Sequence, residues 1–130
     1  MQPTKNNFQS TPTEATDNQM PFLFMWIETQ SATSHTSARQ FGEGFAAQKA
    51  SFWEVTSNGE INSADRRATG YFFTATSYHD GSKEKLTFFM RTSGSVTSVY
   101  RFIFWAPADR YDALLTVYDA IVSSLEFNTL

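Results

Sequence analysis

The sequence predicts one α+β domain, a central antiparallel β-sheet with helices packed on its faces. Three observations predict it. From Phe52 to Ala106 the chain alternates apolar and polar residues with the period of strands, broken by the turn dipeptides Asp80-Gly81 and Ser93-Gly94. After Pro107 the apolar period changes to three and four, the period of a helix. The length of 130 residues, with 41% hydrophobic and 16% aromatic content, suits one domain that can fill its own core. Residues 1–19 read as a flexible polar tail and residues 20–127 as the domain.

The tail is rich in Thr, Asn, Gln, Ser and Pro, and Phe8 is its one large apolar side chain besides Met1. It buries too little to offset the entropy of ordering it. It has no apolar core of a signal peptide. Two readings of the compartment stay open: cytoplasmic, or exported and periplasmic with a lipid anchor if a signal was removed.

Pro21 opens the run Phe22-Leu23-Phe24-Met25-Trp26-Ile27, whose unbroken apolarity predicts a strand covered on both faces. A polar loop with His35 follows. Ser37 and Gln40 then match a capping box ahead of a helix that aligns Ala38, Phe41 and Phe45. Gly42 and Gly44 each cost that helix about 1 kcal/mol relative to alanine, so packing must hold it.

Phe52 to Val55 reads as a strand running to a turn at Asn58-Gly59. The next strand, about 67–79, points Tyr71 and Phe73 one way and Phe72 the other. In the strand 83–91, Leu86, Phe88 and Met90 oppose Lys85, Thr87, Phe89 and Arg91. In 96–106, Tyr100, Phe102 and Phe104 alternate with Val99, Arg101, Ile103 and Trp105. These three strands make an antiparallel meander, and the last needs cover on both faces. Asp109 and Asp112 fit the first turn of the final helix, where its dipole favours acids. Leu125 to Phe127 reads as a short closing strand.

Ten basic against thirteen acidic residues give a net charge of −3, which speaks against nucleic-acid binding. With no cysteine, disulfides and thiol catalysis are excluded. Two histidines without ligand spacing point to no metal, and no cofactor is called for. No run is long enough for a membrane span. Gly42-x-Gly44-x-x-Ala47 matches a dinucleotide fingerprint, but its glycines lie well past the strand, where close helix–sheet packing explains them better. His79 beside Asp80 could orient a base in a hydrolase, yet no nucleophile accompanies them. No catalytic residue is assigned.

Trp26, Trp53 and Trp105 carry the most unusual surface character. Phe89, Arg91, Arg101 and Trp105 read as one sheet face mixing aromatics with arginines, the composition of a protein-interface hot spot. Arg91 and Arg101 read as cross-strand neighbours. The alternative is an apolar ligand held in a pocket between the sheet and Phe41 and Phe45.

The order of elements resembles the PsbP-like superfamily, which includes the Ran-binding Mog protein and bacterial periplasmic or lipoprotein relatives. The resemblance rests on Arg67-Ala68-Thr69-Gly70-Tyr71, the hairpin at Asp80-Gly81, the strand ending Phe104-Trp105-Ala106-Pro107, and the closing Ser123-Ser124-Leu125-Glu126-Phe127. Leu125 stands where the family has an aromatic, and the family's first hairpin, aromatic-Pro-x-Gly-Trp, is not present in residues 1–20. The resemblance implies a PsbP/Mog-like fold, such as also occurs as accessory domains on bacterial metalloproteases. It implies no shared catalytic residues. The expected function is a noncatalytic protein-binding or assembly module whose partner is another protein.

Overall fold

The computed structural model describes residues 20–31 and 37–127. The proposed tail and His35 lie outside the described residues. Seven elements follow in order: β1 (Phe22–Ser31), α1 (Ala38–Lys49), β2 (Trp53–Asn62), β3 (Thr69–Ser77), β4 (Lys83–Ser93), β5 (Val96–Ala106) and α2 (Ala108–Ser123). The strands form a five-stranded antiparallel sheet in the order β1-β5-β4-β3-β2. The fold is α+β, and β3, β4 and β5 form the expected meander. The first two strands of the chain are its two edges.

The helices lie on opposite faces, and the pleat of β4 shows why. Leu86 and Phe88 point to one face and join Tyr71, Phe73 and Ala75 beneath Phe41 and Phe45 of α1. Phe89 points to the other and joins Phe102, Phe104, Tyr111, Tyr118 and Val122, the core under α2. Leu86, Thr87, Phe88 and Phe89 are all fully buried, so β4 is the central strand in the physical sense too. Each helix is also tied to β4 by an ion pair. Lys49 Nζ lies 2.7 Å from Glu84 Oε1 on the α1 side, and Lys85 Nζ lies 2.8 Å from Asp119 Oδ1 on the α2 side.

Helix α1 begins as its sequence requires, with Gln40 N–H donating to Ser37 Oγ and Ser37 N–H donating to Gln40 Oε1. Its two glycines differ. A Cβ on Gly42 would run into the Tyr71 ring, whereas nothing stands near Gly44. Gly42 is therefore what lets the helix seat on β3.

Three expectations are corrected. Asn58-Gly59 is not a turn: both residues pair with β3 inside β2, and Gly59 makes room for the Phe72 ring opposite it. Leu125 to Phe127 is not a strand. The segment is held by Ala64 N–H donating to the Leu125 carbonyl and Phe127 N–H donating to Asp65 Oδ2 at 2.6 Å, which turns the Phe127 ring onto Phe89. Finally, β1 is not covered on both faces; it is an edge strand whose side chains stand in solvent on both sides.

Under α2, the Tyr118 hydroxyl is buried 2.7 Å from Thr87 Oγ1 and donates to the Phe102 carbonyl at 3.4 Å. Either hydroxyl can be the donor in the 2.7 Å contact. Tyr118→Phe strands the buried Thr87 hydroxyl and should cost about 1–3 kcal/mol in denaturant unfolding, while adding Thr87→Val should recover most of it. In α1, Gly44→Ala should stabilise by about 1 kcal/mol through helix propensity alone. Gly42→Ala should destabilise by a net of about 1–2 kcal/mol, because the methyl overpacks against Tyr71.

Candidate functional site

Strand β1 pairs with β5 over ten residues without a bulge, and the pairing sorts its side chains by chemistry. Phe22, Phe24 and Trp26 stand on the α1 side, opposite Trp105, Ile103 and Arg101 of β5. Leu23, Met25 and Ile27 stand on the α2 side, opposite Phe104, Phe102 and Tyr100. All six β1 residues are between 37% and 55% exposed. Helix α1 packs on β2, β3 and β4, so on its side the β1–β5 margin is left open.

On that open margin the rings form a ladder. Phe22 stacks on Trp105 with centroids 5.3 Å apart and meets Phe24 at 4.8 Å; Phe24 meets Trp26 at 5.5 Å. Arg101 closes the ladder at the helix. Its guanidinium carbon is 4.6 Å from the Trp26 ring centroid and 4.6 Å from that of Phe45, so the cation is flanked by an aromatic on β1 and one on α1. The Arg101 side chain is only 13% exposed; among the described residues its ion-pair neighbour is Glu28 at 4.0 Å and its buried Nε has no hydrogen-bond partner. Burial lowers the guanidinium's pKa from its ordinary value, and Glu28 opposes the shift. An arginine stays charged at neutral pH even so.

The α2 side of β1 borders an apolar groove of about 170 Å³, lined by Pro21, Leu23 and Phe104 from the sheet and Leu114, Val117 and Ile121 from α2. Val117 is 56% exposed there. A second hollow, about 220 Å³, lies at the other end of α2 beside the β2 bulge, between Thr56, Thr74, Thr76, Lys83 and Tyr111. Its Thr56 and Thr74 hydroxyls already bond each other at 2.7 Å.

The four residues expected to share one face do not. Arg101 and Trp105 belong to the exposed margin on the α1 side. Phe89 is fully buried under α2 against Phe102 and Phe127, and Arg91 is on that same α2 side, opposite Ser98 rather than Arg101. The β4–β5 turn decides this. Ser93 pairs with Val96, so odd residues of β4 face even residues of β5 and the sheet separates Phe89 from Trp105. Counting the two turn residues, Gly94 and Ser95, would have revealed it.

Phe41 and Phe45, the expected lining of a pocket beneath α1, pack on the sheet. Their rings lie on Phe88 at 5.7 and 5.3 Å, and Gly42 sets the helix directly on Tyr71. The glycine motif falls inside α1, where it offers no strand-to-helix turn. Asp80 serves its own turn: its Oδ1 accepts from Ser82 N at 2.9 Å and Ser82 Oγ at 2.7 Å. Among the described residues no group of three His, Asp or Glu could hold a metal ion, and no helix is long and apolar enough to cross a membrane. Phe22 and Phe24 are the site residues that sequence reasoning passes over, because an apolar run reads as interior; Trp26 stands out in the sequence but is not joined there to Arg101. Their signal is the sorting itself, aromatics at even positions and aliphatics at odd ones.

No family model matches the chain, and no curated protein matches it.

Glu84 lies next to Trp105 in the register, at the closed end of the α1 side. It is 7% exposed, and burial raises its carboxyl pKa while the Lys49 cation pulls it down. The folded chain therefore holds this proton more tightly than the unfolded chain. Stability should fall as pH rises above the ordinary glutamate value of 4.5 and level off above the folded value. Urea titrations from pH 4 to 7 should show this slope in the wild type and its loss in Glu84→Gln.

Proposed function

We propose that the chain is a noncatalytic protein-binding or assembly module and that its contact surface is the margin formed by β1 and β5. The observation that carries this reading is Arg101, a largely buried cation flanked by Trp26 and Phe45 beside the exposed Phe22–Phe24–Trp26 ladder. Tryptophan, other aromatics and arginine dominate binding energy when they cluster at the centre of an interface. The surrounding margin is apolar and already desolvated in part. A partner that packs on the flanking rings would bury the Phe22–Phe24–Trp26 ladder around a cation that is already largely out of water. The resemblance to the PsbP/Mog type supports the same reading, since members resembling this chain bind other proteins or assist larger assemblies.

A carrier of a small apolar ligand is the second reading. The groove between Pro21–Leu23 and α2 favours it, in place of the expected space beneath Phe41 and Phe45. Native mass spectrometry of the purified chain should show a bound apolar molecule if that reading holds.

Affinity capture from lysate of the source organism separates the two. The tagged wild type should retain one protein at near-equal stoichiometry. Arg101→Ala or Trp26→Ala should weaken that retention about 30-fold or more, as expected of hot-spot residues. Arg101→Lys should also fail, because lysine keeps the charge but not the planar stacking. Arg91→Ala, on the opposite face, should bind as the wild type does. Equal binding by the wild type and Arg101→Ala would remove the site.

A further inference from the structure

We infer that the free edge of β1 pairs with the β1 of a second copy of this chain, joining two five-stranded sheets into one antiparallel sheet of ten. The inference goes beyond the module reading and does not depend on a heterologous partner.

The two sheet edges are built in opposite ways. The β2 edge is interrupted by a bulge between Val55 and Ser57, carries the polar run Thr56-Ser57-Asn58 and includes the acids Glu54 and Glu60. Bulges and charges are how native edges are kept from pairing with other chains. The β1 edge has none of these devices over residues 22–27: no bulge, no charge and six large apolar side chains. An unprotected edge of that length offers its backbone N–H and C=O groups as a template for another strand.

The chemistry of β1 selects a copy of itself as that strand. A two-fold axis normal to the sheet keeps each side chain on its own face, so the axis must pass through a residue. Centred on Met25, the pairing sets Phe24 against Trp26 on one face and Leu23 against Ile27 on the other. Centred on Phe24, it sets Phe22 against Trp26, Phe24 against itself, and Leu23 against Met25. Phe22 falls opposite Glu28 in the first register and Ile27 opposite Pro21 in the second, but the central positions of both pair aromatics with aromatics and aliphatics with aliphatics, a match a strand of unrelated sequence would have to reproduce on both faces.

Six side chains each about half exposed leave roughly 600 Å² of apolar surface on β1. Edge pairing covers the flank that meets the second copy, with Val117 and Ile121 beside the groove adding to it, so the contact is a small one against the roughly 800 Å² per partner of a standard interface and is held also by its backbone hydrogen bonds.

Sedimentation equilibrium of the full chain tests the proposal. The wild type should be a dimer at about 10 µM, and Met25→Lys/Ile27→Lys should raise the dissociation constant at least about 100-fold, since two lysines per copy would be buried at the junction. Both positions are more than half exposed, so the variant should keep its circular dichroism spectrum and fold. The chain has no cysteine, so a single introduced one reports on geometry. Mild oxidation should link copies of Phe24→Cys or Met25→Cys, where residues at the axis face each other within disulfide reach, but not copies of Gln48→Cys on α1. A wild type that stays monomeric at about 100 µM overturns the proposal, as does a dimer that survives the double lysine substitution. If such a monomer still loses its partner on Arg101→Ala, the module reading stands without the dimer.

Discussion

The structure depends on β4 being buried on both faces at once. Leu86 and Phe88 anchor α1, while Thr87 and Phe89 anchor the α2 side, and all four are sealed from solvent. A helix is about 10–12 Å across and strands are spaced about 4.8 Å apart, so one helix covers two or three strands. With one helix to a face and β4 fixed at the centre, the cover runs out before the β1 edge. Helix α1 lies towards β2 and β3, and α2 packs against β5. The exposure of β1 is thus a consequence of geometry: two helices of this width cannot shelter five strands on both sides. What is particular to this chain is that the uncovered strand carries the longest unbroken apolar run of the five, Phe22 to Ile27.

Much of this fold can be read from the residues. The period-two alternation in Lys83 to Ser93 and Val96 to Ala106 specifies two strands, and the Ser37/Gln40 box specifies the start of α1. Tyr111, Tyr118 and Val122 specify the buried face of α2. These are local signals set by a few neighbouring residues. The order β1-β5-β4-β3-β2 is not local, because β1 must pair with a strand more than sixty residues away. Whether an apolar run becomes a central or an edge strand is decided by that pairing, and Phe22 to Ile27 holds no record of it. Asn58-Gly59 misleads for a related reason. The dipeptide favours a turn in isolation, but nine β2 residues pair with β3, and the Phe72 ring occupies the space a larger residue at 59 would need.

The candidate surface was half legible. Arg101 and Trp105, both named from the sequence, do stand on the same side of β5. Joining them to Phe89 and Arg91 fails on parity across a two-residue turn, where one residue more or less exchanges the faces. Phe45 enters the same site for a reason no strand pattern carries. The helix must sit close enough to the sheet for its ring to reach Arg101, and Gly42, one turn earlier, allows that approach.

Arg101 is costly where it stands. A guanidinium taken largely out of water loses hydration that Glu28, at 4.0 Å, only partly replaces. A leucine would fill the space between Trp26 and Phe45 without that loss. The two flanking rings return part of it through their negatively polarised faces. Among the described residues Nε has no hydrogen-bond partner, which adds to the cost. A cation desolvated in advance and held in orientation by rings on two separate elements has part of the cost of being covered by a partner already met.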